Sequence, residues 1–182
     1  MLGLFRNKHD SAAAALYDVI LAQARQPALF RDHRVPDTVE GRYDMMVLNA
    51  VLVIRRVSAI SDGGQALAQA TVDRFFTEMD RALREMGVGD LAVPKRMKSI
   101  AGLYAGCSQA YAAALAEPDD GALAAALLRN VFEGDEGHRL DAEGLARTVR
   151  ATEKVLAQAC DSDVMAGRIA LPRSALVEAG AP

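Results

Sequence analysis

The stretch Asp73–Met97, DRFFTEMDRALREMGVGDLAVPKRM, sets the architecture. It opens as an amphipathic helix. Phe75, Phe76, Met79, Leu83 and Met86 recur at helical spacing and form an apolar stripe. Asp80 precedes Arg84 by one turn, as Arg81 precedes Glu85, so each pair can meet on the solvent face. Gly87 falls where a helix end favours a positive φ. Gly89 extends the loop and Asp90 sits in it. Pro94 suits the first turn of a second helix, which begins with Lys95, Arg96 and Lys98. The stretch predicts a helix–loop–helix corner, shaped by Gly87, Gly89 and Pro94, that displays charge and carries no catalytic equipment.

The segments on either side of this corner are also helical. Asp10 or Ser11 suits the cap of a first helix reaching about Arg25, with Leu16, Val19, Ile20 and Ala24 inward and Tyr17 at the edge of that stripe. Residues 1–10 read as a flexible N-terminus. Pro27 starts a short turn anchored by Phe30, and Pro36 ends it. Asp37 with Glu40 has the form of a capping box. The helix that follows, about 39–60, is apolar nearly all round from Met45 to Ile54 and is expected at the centre. Its first turns carry Arg42, Tyr43 and Asp44. A Ser61–Gly64 turn leads to a helix from about Gln65 to Met86.

Beyond the corner, Met97, Ile100, Leu103, Tyr104, Cys107, Tyr111 and Leu115 form a long stripe. A short helix carries Leu123, Leu127, Leu128 and Val131. After the loop 133–138, Asp141 suits the cap of a last helix with Leu145, Val149, Val155 and Leu156. Residues 161–182 have weak periodicity and two prolines, and read as a loosely packed tail. The expectation is an all-α, single-domain bundle of about six to seven helices spanning 11–160.

The 182 residues suffice to bury a core. Apolar residues make up 51%, dominated by Ala and Leu, and there is no Trp, a bias that favours helix. The net charge of −3 supplies no basic field for DNA. Cys107 and Cys160 lie far apart and suggest no disulfide framework. The N-terminus lacks the form of a signal peptide. The longest apolar run, Met45–Ile54, is far short of the ~20 residues that span a bilayer.

His9, His33 and His138 show no HExxH or Glu-x-x-His spacing, so no metal is expected. The Gly87-Val88-Gly89 run lacks the rest of a phosphate loop. Cys107 lies on an apolar stripe and reads as buried and inert. No cofactor and no catalytic residue is expected. Lys95-Arg96-Met97-Lys98 reads as a solvated helix start or as a contact for anionic headgroups or ribosomal RNA.

Several segments together resemble the ubiquinol–cytochrome c chaperone family, bacterial relatives of a mitochondrial assembly factor for the cytochrome bc1 complex. They are LYDVILAQARQPALFRD (Leu16–Asp32), VPDTVEGRYDMMVLNAVLVIRR (Val35–Arg56) and FFTEMDRALREMGVGDLAVPKRMK (Phe75–Lys98), with weaker matches at Tyr104 and Leu127–Gly134. The resemblance implies an assembly chaperone, not an enzyme. It implies nascent cytochrome b as client, received near the ribosome exit at the inner face of a bacterial inner membrane. A small partner protein or a second copy is a further expectation. A groove lined by Tyr17, Phe30, Tyr43 and Tyr104, edged by Arg25, Arg42, Asp44, Asp80, Arg84, Asp90 and Lys95, is the expected binding surface. The competing readings are a haem-binding helical bundle and a generic interaction scaffold.

Overall fold

The structure, a computed structural model, describes residues 2–171, with side chains from residue 9 onward. Its described residues form helices and no strand. The long helices are α1 (Leu2–Ala24), α3 (Val39–Ser58), α4 (Gly64–Glu85), α5 (Val93–Ala116), α6 (Gly121–Val131) and α7 (Arg139–Gln158). Two single-turn pieces complete them, α2 (Pro27–Arg31) and α8 (Asp161–Met165), and a 3-10 turn at Glu136–His138 leads into α7.

The expected central helix is α3. Met45, Val47 to Val53 and Val57 are buried along it, and it packs against α1, α4, α5, α6 and α7. A helix that is apolar all round can be covered on all sides at no desolvation cost, and this is the one segment of the chain with that composition. Against it, α1 supplies Leu16, Tyr17 and Ile20, and α4 supplies Leu67, Thr71 and Phe75. Alanines at 12, 13, 24 and 68 line the α1 and α4 surfaces and allow close approach. Each large side chain fully buried here contributes about 1.5–3 kcal/mol.

Several local expectations are corrected. Asp37 does not cap α3. Thr38 is the cap, its hydroxyl accepting from the Gly41 amide at 3.1 Å, while Asp37 pairs with Arg42 at 2.6 Å. Asp141 does not cap α7. The helix starts at Arg139, and Asp141 binds His138 Nδ1 at 2.7 Å. Neither Asp10 nor Ser11 caps α1, which runs through both from Leu2. The loose tail expected from Asp161 is packed as far as residue 171. Val164 and Ile169 join the core, and Arg168 pairs with Asp163 at 2.7 Å. A buried residue here and there leaves no periodic trace, so the sequence does not show this docking. Residues 172–182, the remainder of that expected tail, lie outside the described residues.

Two arginines add to the backbone caps at two helix ends. The last carbonyls of a helix have no partner within it. Arg150 of α7, largely buried, donates to the Ala114 and Leu115 carbonyls at the end of α5 and to Glu117 and Asp119 beyond it. Arg56 of α3 donates to the Leu156 and Ala159 carbonyls at the end of α7 and pairs with Asp161.

Candidate functional site

The Asp73–Met97 corner has the expected form. Gly87, at φ +81°, ends α4 in a Schellman motif. The Val88 amide donates to the Leu83 carbonyl at 3.0 Å and the Gly87 amide to Arg84 at 2.9 Å. Gly89 is not among the residues with positive φ. Its carbonyl accepts from the Ala92 amide at 2.8 Å, a turn any residue can make. Pro94 lies in the first turn of α5, as expected. Arg84 bridges Asp80 at 2.6 Å and Asp90 at 2.5 Å, and Arg81 pairs with Glu85 at 2.9 Å. Met86 leaves the expected stripe: it is 61% exposed, because the helix ends there and its side chain passes beyond the neighbouring helices.

Behind the corner lies an aromatic cluster. Phe75, fully buried, is ringed by Tyr43 at 6.5 Å, Phe76 at 5.5 Å and Tyr104 at 5.5 Å between centroids, and Phe76 meets Tyr104 edge-on at 5.3 Å. Such pairs add about 0.5–1.5 kcal/mol each beyond their area. The Tyr43 hydroxyl donates to the Ile100 carbonyl. Tyr43 and Tyr104 are half-buried, and burial raises both hydroxyl pKa values.

Beside this cluster, Asp44 is a half-buried carboxyl whose pKa is pushed up to about 6, first by burial and then by the like charges of Glu40 and Glu133. Cys107 faces the same region, its thiol raised by burial and then by Asp44.

Support for α5 is uneven. Its fully buried residues are Val93, at the very start, and Tyr111, Ala114 and Leu115 at the far end. Between them, Met97, Ile100, Tyr104 and Cys107 are partly covered on one side. Leu103, expected in the stripe, is 56% exposed, and side chains added at Gly102 or Gly106 meet open space. The outer face of α5 is therefore small and apolar. Composition alone hides this, because a helix rich in Ala and Gly reads as a core helix.

The expected four-aromatic groove is not one groove. Tyr43 and Tyr104 meet. Tyr17 is 7% exposed and belongs to the core, with the charges of Glu78 and Arg74 on α4 acting on its hydroxyl. Phe30 lies under the Arg42 guanidinium, 5.6 Å from ring centroid to Cζ, and joins none of the ring pairs of the cluster. Arg25 is exposed near the end of α1 beside an open hollow of about 610 Å³. Lys95 is exposed in the first turn of α5. Asp80, Arg84, Asp90 and Lys95 thus share the corner, Tyr43, Asp44 and Tyr104 the region behind it, and Phe30 with Arg42 a separate patch. The signal for the α5 face was present in the sequence as Gly102 and Gly106, one turn apart on a helix with no reason to contain glycine.

Among the described residues no three His, Cys, Asp or Glu side chains are placed to hold a metal ion. No helix among them is long and apolar enough to cross a membrane. The sequence model of the ubiquinol-cytochrome C chaperone family matches residues 31–171. No curated protein sequence matches the chain. Among solved structures, the chain is similar to the Cbp3 homolog from Brucella abortus, at 38% identity and a TM-score of 0.81, over 94% of this chain and 96% of that one. With the family match covering α3 to α8 and the corner intact within it, the chain belongs to the ubiquinol–cytochrome c chaperone family.

Proposed function

We propose that the chain is an assembly chaperone of the ubiquinol–cytochrome c reductase (bc1) complex that covers newly made cytochrome b, at the inner face of the inner membrane and near the ribosome exit. The observation that carries this reading is the outer face of α5. A newly made membrane segment is an apolar helix, and it needs a shallow apolar surface that approaches closely and releases again. Gly102, Leu103 and Gly106 supply that surface, the Tyr43–Phe75–Tyr104 cluster stiffens it from behind, and the Asp80–Arg84–Asp90 network keeps the α4–α5 corner polar and solvated. Family membership supports the bc1 complex as the destination. The role is binding, with no covalent step. A small partner protein or a second copy can share the task.

Capture of newly made cytochrome b on tagged protein tests the reading. Gly102→Leu/Gly106→Leu, which blocks close approach on an open face, is expected to reduce recovery severalfold while leaving the fold intact. Asp44→Ala/Arg84→Ala tests whether the charges behind the corner and on it contribute. Unchanged recovery in the double glycine variant overturns the α5 face as the client site. Normal bc1 activity in a deletion strain overturns the function. A visible haem spectrum in the purified protein supports a haem-binding bundle instead.

A further inference from the structure

The tip of the corner carries an apolar side chain with no cover. Leu91 is 99% exposed in the turn after α4, and Met86, at the helix end, is exposed as well. One to two turns on, Lys95, Arg96 and Lys98 are all exposed. None of the three side chains has an ion pair or hydrogen bond among the described residues. The nearby acids already have partners, Asp80 and Asp90 sharing Arg84 and Glu85 holding Arg81, a set that keeps one net negative charge. In a chain of net charge −3, the tip therefore presents three unpaired cations next to bare aliphatic surface.

We propose that this tip docks on anionic lipid bilayers, with Leu91 and Met86 entering the headgroup boundary and Lys95, Arg96 and Lys98 on the lipid phosphates. Interfacial binding adds buried apolar area to attraction for anionic headgroups, and the tip offers both within one short segment. RNA is the other polyanion such cations fit. It is bound through cations together with stacking rings, and residues 86–98 contain no aromatic side chain. The unpaired cations and the aliphatic tip thus match a bilayer and leave RNA without its second contact. The proposal goes beyond the client reading, since the surface for the bilayer lies on the corner and the face for the client lies further along α5.

Co-sedimentation of the full chain with vesicles tests it. Phosphatidylcholine vesicles containing phosphatidylglycerol are expected to bind the protein, and phosphatidylcholine vesicles to bind it weakly. Leu91→Ser and, separately, Lys95→Ala/Lys98→Ala are each expected to weaken anionic-vesicle binding at least about fivefold, with unchanged circular dichroism because all three side chains are exposed. Absence of binding to anionic vesicles overturns the proposal, as does a Leu91→Ser variant that binds like the parent. Binding of a homopolymeric RNA that outcompetes vesicles, depends on the lysines and ignores Leu91 assigns the tip to RNA and also overturns it. Cytochrome b capture measured on the same variants separates the two readings: capture retained with vesicle binding lost leaves the client face standing.

Discussion

The Tyr43 hydroxyl donates to the Ile100 carbonyl at 3.0 Å, joining the early turns of α3 to the early turns of α5 across 57 positions of sequence. It is the one hydrogen bond among the described residues that ties this exposed part of α5 to the central helix. Tyr43→Phe is expected to cost about 1 kcal/mol of stability and to speed amide exchange selectively around Ile100 and Tyr104. Tyr111→Phe provides the contrast. The Tyr111 hydroxyl is buried facing Asn130 without completing a hydrogen bond, so its removal is expected to cost little or to stabilise. Urea unfolding of the two variants, with exchange read by mass spectrometry, distinguishes them.

Asp44 gives the fold a pH dependence. Its folded pKa, about 6, lies above its ordinary value of 3.8, so the folded state binds the proton more tightly than the unfolded one. Stability contributed by this group is therefore highest at low pH and is lost as pH rises through about 6. Asp44→Asn is expected to stabilise the protein at pH 7 by an amount on the order of 1 kcal/mol, discounted for partial exposure, and to flatten the rise in stability on acidification toward about pH 5. Glu133→Gln is expected to lower the Asp44 pKa, which a carboxyl NMR titration reads directly.

Arg150→Ala is expected to be the most damaging polar substitution on α7, at about 3 kcal/mol, because it removes four hydrogen bonds to carbonyls at and beyond the end of α5, the Ala114 carbonyl keeping the Glu117 amide. Arg150→Lys is expected to recover only part of that loss. A single ammonium cannot span four carbonyls and the Asp120 carboxylate as a guanidinium does. Denaturant midpoints of the two variants check the order.

The glycines of the two helix–helix turns separate by their surroundings. A Cβ at Gly64 falls 2.4 Å from the Val57 carbonyl oxygen, so Gly64→Ala is expected to cost more than about 2 kcal/mol. Gly89 has open space and no positive φ, and Gly89→Ala is expected to be neutral or to stabilise by about 0.5 kcal/mol through the unfolded state. Thermal melts of the pair test the difference.

Local signals in the sequence survived into the structure. The apolar run from Met45 to Ile54 marked the central helix, because only a covered helix tolerates that composition. Gly87 and Pro94 marked the corner, because their backbone preferences act within a few residues. Nonlocal choices did not show. Asp37 and Thr38 are both good caps, and the contest was decided by Arg42, which holds Asp37 away. Tyr17 looked amphipathic at the edge of a stripe, yet α4 covers it. Arg150 and Arg56 find their carbonyls 31 or more positions away, at the ends of other helices, a pairing that no spacing rule encodes. Leu103 lies outside the expected stripe for the same reason: whether a residue of an Ala- and Gly-rich helix is core or surface depends on what packs beside it.

The uneven support of α5 makes it a propped beam. It is built in at Val93 and again at Tyr111 to Leu115, where Arg150 grips its end, and it spans about 27 Å between them. Tyr43 is the prop beneath the span. A load on such a beam deflects the span but concentrates bending at the fixed ends. For the client proposed on the outer face, how firmly it is held and how readily it is let go are then set by stiffness at Val93, Tyr111 and Arg150, away from Gly102 and Gly106.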